Sequence, residues 1–368
     1  MNSFPYPIYY LGLLIITVLL ARFIFRRYIS FAKRYNFIKL SNARASHKGL
    51  VFTGGGVVYA AVIMVAAVVL DNLDFVGFAA LSPVIGTSIL IAVLGFYDDF
   101  TDIVAFQKYI ILTFLISMLV YSFYVSGSGF DVISSLNGFL GIHELSPISS
   151  FIFTCFVYLS IMNAINLTDG IDGYLGIFSI SFFLSFLFTN HLNGFYTLSS
   201  ISVIIIASSA IFLRYNFSKK GKKLFVGDAG SLLIGFWMAY FLIHYISTAN
   251  NANAVDVFSI NLENIPVIAI SIISIPVLDT LRVMLVRVLN KKSPFSADRN
   301  HLHHILLDSG MSHLRTSVFL TVANWCNCVL IFLLEPNFNS NELTLIYIAI
   351  SLGWYVFFEY MKRKNISS

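Results

Sequence analysis

Long apolar runs alternate with short polar breaks along nearly the whole chain. Windows of about 20 apolar residues, the length that crosses the hydrocarbon layer, can be placed at 6–25, 49–70, 76–95, 103–124, 148–165, 174–190, 195–213, 225–246, 265–286, 315–334 and 342–361. The pattern predicts an all-α, polytopic integral membrane protein with about 11 transmembrane helices, forming a single transmembrane domain over 1–368. The second and eighth spans have diluted ends, where "TGGG" and "GDAG" intervene. Residues 6–25 resemble the apolar part of a signal peptide, but no basic segment precedes them and no small-residue cleavage site follows. They read as a retained first span.

Composition agrees. The chain is 58% hydrophobic and 11% charged, whereas soluble domains carry about 25% charged residues. The charges are also placed unevenly. Arg22, Arg26, Arg27, Lys33, Arg34, Lys39, Arg44 and Lys48 crowd into 22–48 without one acid. Most remaining bases lie in 214–223, 282–315 and 362–364, with Lys108 near the fourth span, while 71–75, 125–147, 190–194, 247–264 and 335–341 contain no Lys or Arg. By the positive-inside rule the N-terminus is expected outside and the C-terminus in the cytoplasm. The net charge of +5 is then a record of topology, and no nucleic-acid partner is expected. Cys155, Cys326 and Cys328 lie in apolar spans without disulfide or zinc spacing and read as small buried residues.

Seven acids fall into four short clusters at the expected cytoplasmic ends of different spans: "GFYDDFTD" (95–102), "NLTDGIDG" (166–173), "FVGDAGS" (225–231) and "SADRNHLHH" (296–304). The run "NAINLTDGIDGYLG" (163–176) breaks an apolar stretch after Met162. Acids at a membrane boundary are costly unless hydrated, paired or metal-bound. Each cluster alone is compatible with caps and turns; four on one face read as a site. Several carboxylates plus an amide, with no thiolate cluster, suit a hard divalent cation such as Mg²⁺, with Mn²⁺ as a substitute. Nearby Lys and Arg are natural phosphate partners. "GDAGS" offers a helix start whose N–H groups face an anion, and Gly170 and Gly173 allow a sharp turn. "HLHH" admits zinc, but no "HExxH" is present and the loop is cationic, so diphosphate binding by His and Arg fits better. Together these features point to metal-assisted phosphoryl transfer involving a lipid phosphate. Asp279, three residues before Arg282, reads first as an i,i+3 ion pair and second as a residue shaping the groove.

At these residues the sequence resembles the polyprenyl-phosphate N-acetylhexosamine-1-phosphate transferases. Five motifs stand in order from about Ser46 to His304: "HKGLVFTGGG", "GFYDDF", "NAINLTDGIDG", "KLFVGDAGS" and "SPFSADRNHLHH". The interrupted histidine run is similar to the undecaprenyl-phosphate N-acetylglucosaminyl-1-phosphate transferase branch of glycosyltransferase family 4. The resemblance implies a multi-pass enzyme of the bacterial inner membrane with its active site facing the cytoplasm. It implies transfer of a sugar-1-phosphate from a UDP-N-acetylhexosamine to undecaprenyl phosphate, with release of UMP and the start of a cell-envelope polysaccharide such as O-antigen. It also admits a homodimer. Other UDP-N-acetyl sugars (GalNAc, QuiNAc, FucNAc or MurNAc-pentapeptide) stay open, and a transporter is the distant alternative.

The same resemblance implies residue roles. Asp228 matches the principal metal ligand, with Asn166 beside it. Asp98 and Asp99 match the aspartate pair, Asp98 engaging the lipid phosphate, and Asp169 matches another required carboxylate. Lys48, Asp172 and Phe225 match uracil-holding positions. Arg299, His301, His303 and His304 match the loop that grips the diphosphate and sugar, and Lys108 a phosphate-binding lysine. Asp102 completes a "DDxxD" form without an assigned role, and Thr168 stands where many relatives in this branch carry other residues.

Overall fold

The computed structural model describes residues 6–39, 51–72, 78–101, 103–127, 131–218, 222–249, 260–293 and 300–367. Thirteen α-helices are found there: α1 (Tyr6–Arg34), α2 (Gly56–Asn72), α3 (Ser82–Thr101), α4 (Ala105–Ser126), α5 (Pro147–Thr168), α6 (Tyr174–Leu192), α7 (Tyr196–Asn216), α8 (Gly227–Ala249), α9 (Ile265–Ile272), α10 (Ser274–Leu289), α11 (Leu302–Asp308), α12 (His313–Leu334) and α13 (Ser340–Ser367). Two two-residue strands, β1 (Ile38–Lys39) and β2 (Val51–Phe52), pair antiparallel. Among the described residues, nine helices are long and apolar enough to cross a membrane. In addition α2 is a shorter apolar helix, and α9 and α10 form one bent pair. Each of the eleven expected spans therefore meets a helix or a helix pair, and the chain is a multi-pass membrane protein.

Two boundaries and one burial differ from the sequence reading, each for a local reason. Residues 51–55 form strand and turn rather than the start of a helix, because "TGGG" pairs its backbone elsewhere. The polar run after Met162 does not end α5, which continues to Thr168, where the Thr168 hydroxyl donates to the Ala164 carbonyl at 2.9 Å. The turn comes at Asp169–Gly173 instead. Cys326 is exposed while Cys155 and Cys328 are buried, since Cys326 lies on the face of α12 that also exposes Val322, Val329 and Leu333.

The chain divides into two compact units, the first comprising residues 1–119 and 175–237 and the second 120–174 and 238–368. In the first, α1 lies along α7, and α2 packs on α1, α3 and α7. Apolar side chains gain little by leaving lipid for one another, so close fit and polar contacts must hold such helices together. Both are present. Phe25 of α1 sits edge-on to Tyr59 with ring centroids 6.0 Å apart, and the Tyr9 hydroxyl meets the Ser200 hydroxyl at 3.0 Å. Residues 223–226 run beside β2: Phe52 N–H donates to the Lys223 carbonyl at 3.1 Å and Phe225 N–H to the Phe52 carbonyl at 2.8 Å. Gly55 and Gly56 continue the pairing to Phe225 and Val226, and the Tyr28 hydroxyl donates to the Thr53 carbonyl at 2.7 Å. The start of α8 is thereby fixed by a backbone ladder.

In the second unit α5 packs on α10, and α12 packs on α9, α10 and α11. The span expected at 265–286 is broken, with a bend of 73° between its halves. Pro276 accounts for the break: it has no N–H for the Ile272 carbonyl, and its ring would clash there. Asn324 of α12 satisfies both freed groups. Its Nδ2 donates to the Ile272 carbonyl at 2.7 Å, and its Oδ1 accepts from Ile275 N–H at 3.0 Å. Such repair is needed wherever a membrane helix opens its backbone. Beyond the bend, α10 carries Asp279 and Arg282.

Candidate active site

The first unit joins "GFYDDF" to "GDAGS". Asp98, near the end of α3, accepts from Ile103 N–H at 2.8 Å through Oδ1 and from Lys108 Nζ at 2.8 Å through Oδ2. The Lys108 ammonium also contacts Asp228 Oδ2 closely. Asp98 and Lys108 are largely shielded from solvent, whereas Asp228 is more open. Asp99 points elsewhere: its Oδ1 accepts the backbone N–H of Asp228 at 2.9 Å. The anion at the start of α8 is therefore Asp99 itself, so that N–H is committed within the protein. A carboxylate here also complements the positive end of the helix dipole. Gly227 has φ +71, and a Cβ there would overlap the Asp99 carboxylate. Phe225, expected at the uracil, is half-buried with its backbone held by the ladder, and Lys223 Nζ lies 5.5 Å from its ring centroid.

The two adjacent aspartates thus do different work. Asp98 faces a cation, and Asp99 holds the helix that presents Asp228. Among the described residues, no group of three or more His, Cys, Asp or Glu forms a ready metal cage. The donor chemistry nevertheless fits magnesium. Mg²⁺ is usually held by one or two carboxylates together with water and substrate phosphates, and Asp98 and Asp228 already direct one oxygen each at a single cationic group.

The second unit joins "NLTDGIDG" to "HLHH". Asn163 and Asn166 lie in the last turns of α5, and Asp169 is its C-terminal cap. His303 packs on the turn that follows: a Cβ on Gly170 would overlap its imidazole, so no larger residue fits unless the ring moves. His303 and His304 are in contact, with ring centroids 4.2 Å apart. Asp172 is anchored through its backbone, its N–H donating to His313 Nδ1 at 3.2 Å and its carbonyl accepting from the Ser317 hydroxyl at 2.9 Å. The His313 ring lies 3.7 Å from the Asp172 carboxylate.

Asp279 makes the expected ion pair with Arg282, Oδ1 to Nη2 at 3.1 Å. It also accepts from His301 Nδ1 at 3.0 Å and from Leu302 N–H at 3.1 Å. His301, expected to touch substrate, is buried. Arg282 reaches the Asn300 carbonyl and, at 3.3 Å, Glu359 of α13. Lys362 of α13 donates to Asn300 Oδ1 at 2.8 Å. Of the expected site residues, Lys48 and Arg299 lie outside the described residues, as does Asp102. The contacts of His313, Ser317, Glu359 and Lys362 with the site were not signalled by any spacing, because their partners are remote in the chain.

Residues 81–246 match the description of glycosyl transferase family 4. Relatives agree across most of the chain. One from Yersinia pestis, an undecaprenyl-phosphate alpha-N-acetylglucosaminyl 1-phosphate transferase, is 30% identical over 318 residues, covering 83% of this chain and 80% of its own length. The Escherichia coli K12 protein of the same name is 30% identical over 298 residues, covering 79% of this chain and 75% of its own. The chain belongs to glycosyl transferase family 4. It is a membrane-embedded phosphotransferase.

Proposed function

We propose that this enzyme transfers an N-acetylhexosamine-1-phosphate, foremost N-acetylglucosamine-1-phosphate, from a UDP-sugar to undecaprenyl phosphate. UMP leaves, and the lipid-linked sugar starts a cell-envelope polysaccharide at the cytoplasmic face of the inner membrane. The names of the relatives support the acceptor and the sugar. The observation that carries the reading is the Asp98–Lys108–Asp228 cluster, in which two carboxylates meet one ammonium at the ends of apolar helices.

The chemistry follows from charge. A phosphate monoester has its second pKa near about 6, so the acceptor is mostly dianionic at neutral pH and needs little help from a base. Its oxygen forms a bond to the β-phosphorus while the bond to the UMP oxygen breaks, and UMP departs with that electron pair. The obstacle is bringing two anions together, which positioned cations relieve. Asp228 and Asp98 would hold Mg²⁺, which would supply charge neutralisation. Lys108, freed from one carboxylate, is placed to hold phosphate. Direct attack is favoured over an aspartyl-phosphate, since Asp98 is assigned to the cation and Asp99 supports α8.

Purified protein, undecaprenyl phosphate, Mg²⁺ and a panel of UDP-N-acetyl sugars test the proposal, with UMP and lipid product measured together. Equal amounts of both from UDP-N-acetylglucosamine are expected. UMP without lipid-linked sugar, or substrate uptake into vesicles without UMP, overturns it.

A further inference from the structure

The second unit contains an acid that its charge alone does not explain. Asp279 is 2% exposed, and a carboxylate so buried must have its oxygens satisfied within the protein. One partner, Arg282, is on its own helix; the other two, His301 and Leu302, come from the beginning of α11. An ionised carboxylate only accepts hydrogen bonds, so His301 must carry a proton on Nδ1. A buried carboxylate behind an imidazole fixes both the protonated nitrogen and the ring plane.

We infer that Asp279 is the positioning residue of the histidine turn: it holds His301 in the Nδ1–H form, ties down the first turn of α11, and so sets where His303 and His304 lie. The rings carry the effect onward. His301 and His303 are nearly parallel, 9° between planes with centroids 5.7 Å apart, and His303 in turn meets His304 and Gly170. Arg282 and Lys362 hold Asn300, one residue before the turn, through its carbonyl and its side chain. The bend at Pro276 directs the helix that carries this support. Asp279 touches neither reactant in this account; it acts through His301. The inference rests on the transferase reading for its effect on rate, though not for its effect on the imidazole.

Asp279→Asn separates positioning from folding. The amide oxygen still accepts from Leu302 N–H and Arg282, while the amide nitrogen now donates toward His301, whose Nδ1 must become the acceptor. ¹⁵N-histidine NMR of the full-length protein in detergent reads this change, with His301→Gln assigning the signal. Nδ1–H is expected in the parent and Nε2–H in Asp279→Asn. In the UMP-release assay, kcat is expected to fall about 10–100-fold, by analogy with the loss of groups that support metal-binding histidines, with KM for the UDP-sugar little changed. Asp279→Glu, which restores a carboxylate, is expected to recover part of the rate and the Nδ1–H signal. An unprotonated Nδ1 in the parent, or a His301 signal unmoved by Asp279→Asn, overturns the inference. So does a shifted signal with unchanged kcat. A parent that releases no UMP sinks the transferase reading instead, and the NMR comparison then decides the positioning role alone.

Discussion

The backbone N–H of Asp228 donates to the carboxylate of Asp99 across 2.9 Å, so α8 begins where α3 ends. The adjacent Asp98 is left to face Lys108. One dipeptide therefore supplies both a helix anchor and a charged group of the site.

Asp99→Ala removes that anchor. Loss of a helix-capping acceptor costs about 0.5–2 kcal/mol, so thermal unfolding in detergent should occur earlier for Asp99→Ala, with Asp99→Asn, which keeps an acceptor, falling between it and the parent. Equal stability of all three would show that the contact does not hold α8.

Lys108→Met leaves two carboxylates facing each other without their ammonium. Stranding a buried charge costs about 3–5 kcal/mol, and transferase activity should disappear. Asp98→Asn combined with Lys108→Met should regain stability but not activity. Denaturation and UMP release on the same samples check both halves.

Chelation tests the metal. EDTA should abolish UMP release from the parent, added Mg²⁺ should restore it, and Asp228→Asn should stay inactive at any Mg²⁺ concentration while unfolding close to the parent temperature. Full activity in EDTA would remove the cation from the mechanism.

Gly170→Ala forces a methyl against His303. Overpacking of this kind costs about 1–3 kcal/mol, and because the ring must move, turnover should fall together with stability. Gly353→Ala, in open space and, like Gly170, outside the positive-φ region, is the control and should spare turnover.

Asn324→Leu orphans the Ile272 carbonyl and the Ile275 N–H at the bend. Unsatisfied buried groups cost about 1–3 kcal/mol each, so this variant should be among the least stable. Thermal unfolding of Asn324→Leu beside Asn324→Asp tests whether the amide's donor, its acceptor or both are required.

Much of this protein was legible in one dimension. A hydrocarbon layer imposes its thickness on every span, so eleven apolar windows could be placed without tertiary knowledge, and the acids at their ends stood out because lipid makes them costly. Motif order sufficed for the family. Side-chain partnership was not legible. Asp98 and Asp99 are neighbours of identical chemistry, and only the approach of α4 and of the start of α8 to the end of α3 gives one a lysine and the other a backbone N–H. Asp279 and Arg282 showed their own pairing through helical spacing, yet the contacts of His301 and Leu302 with Asp279, 22 and 23 residues away, are decided by tertiary packing alone. Hydropathy is a sum over local residues. Hydrogen bonds depend on angles and on ångström-scale distances between segments far apart in the chain, which folding alone brings together.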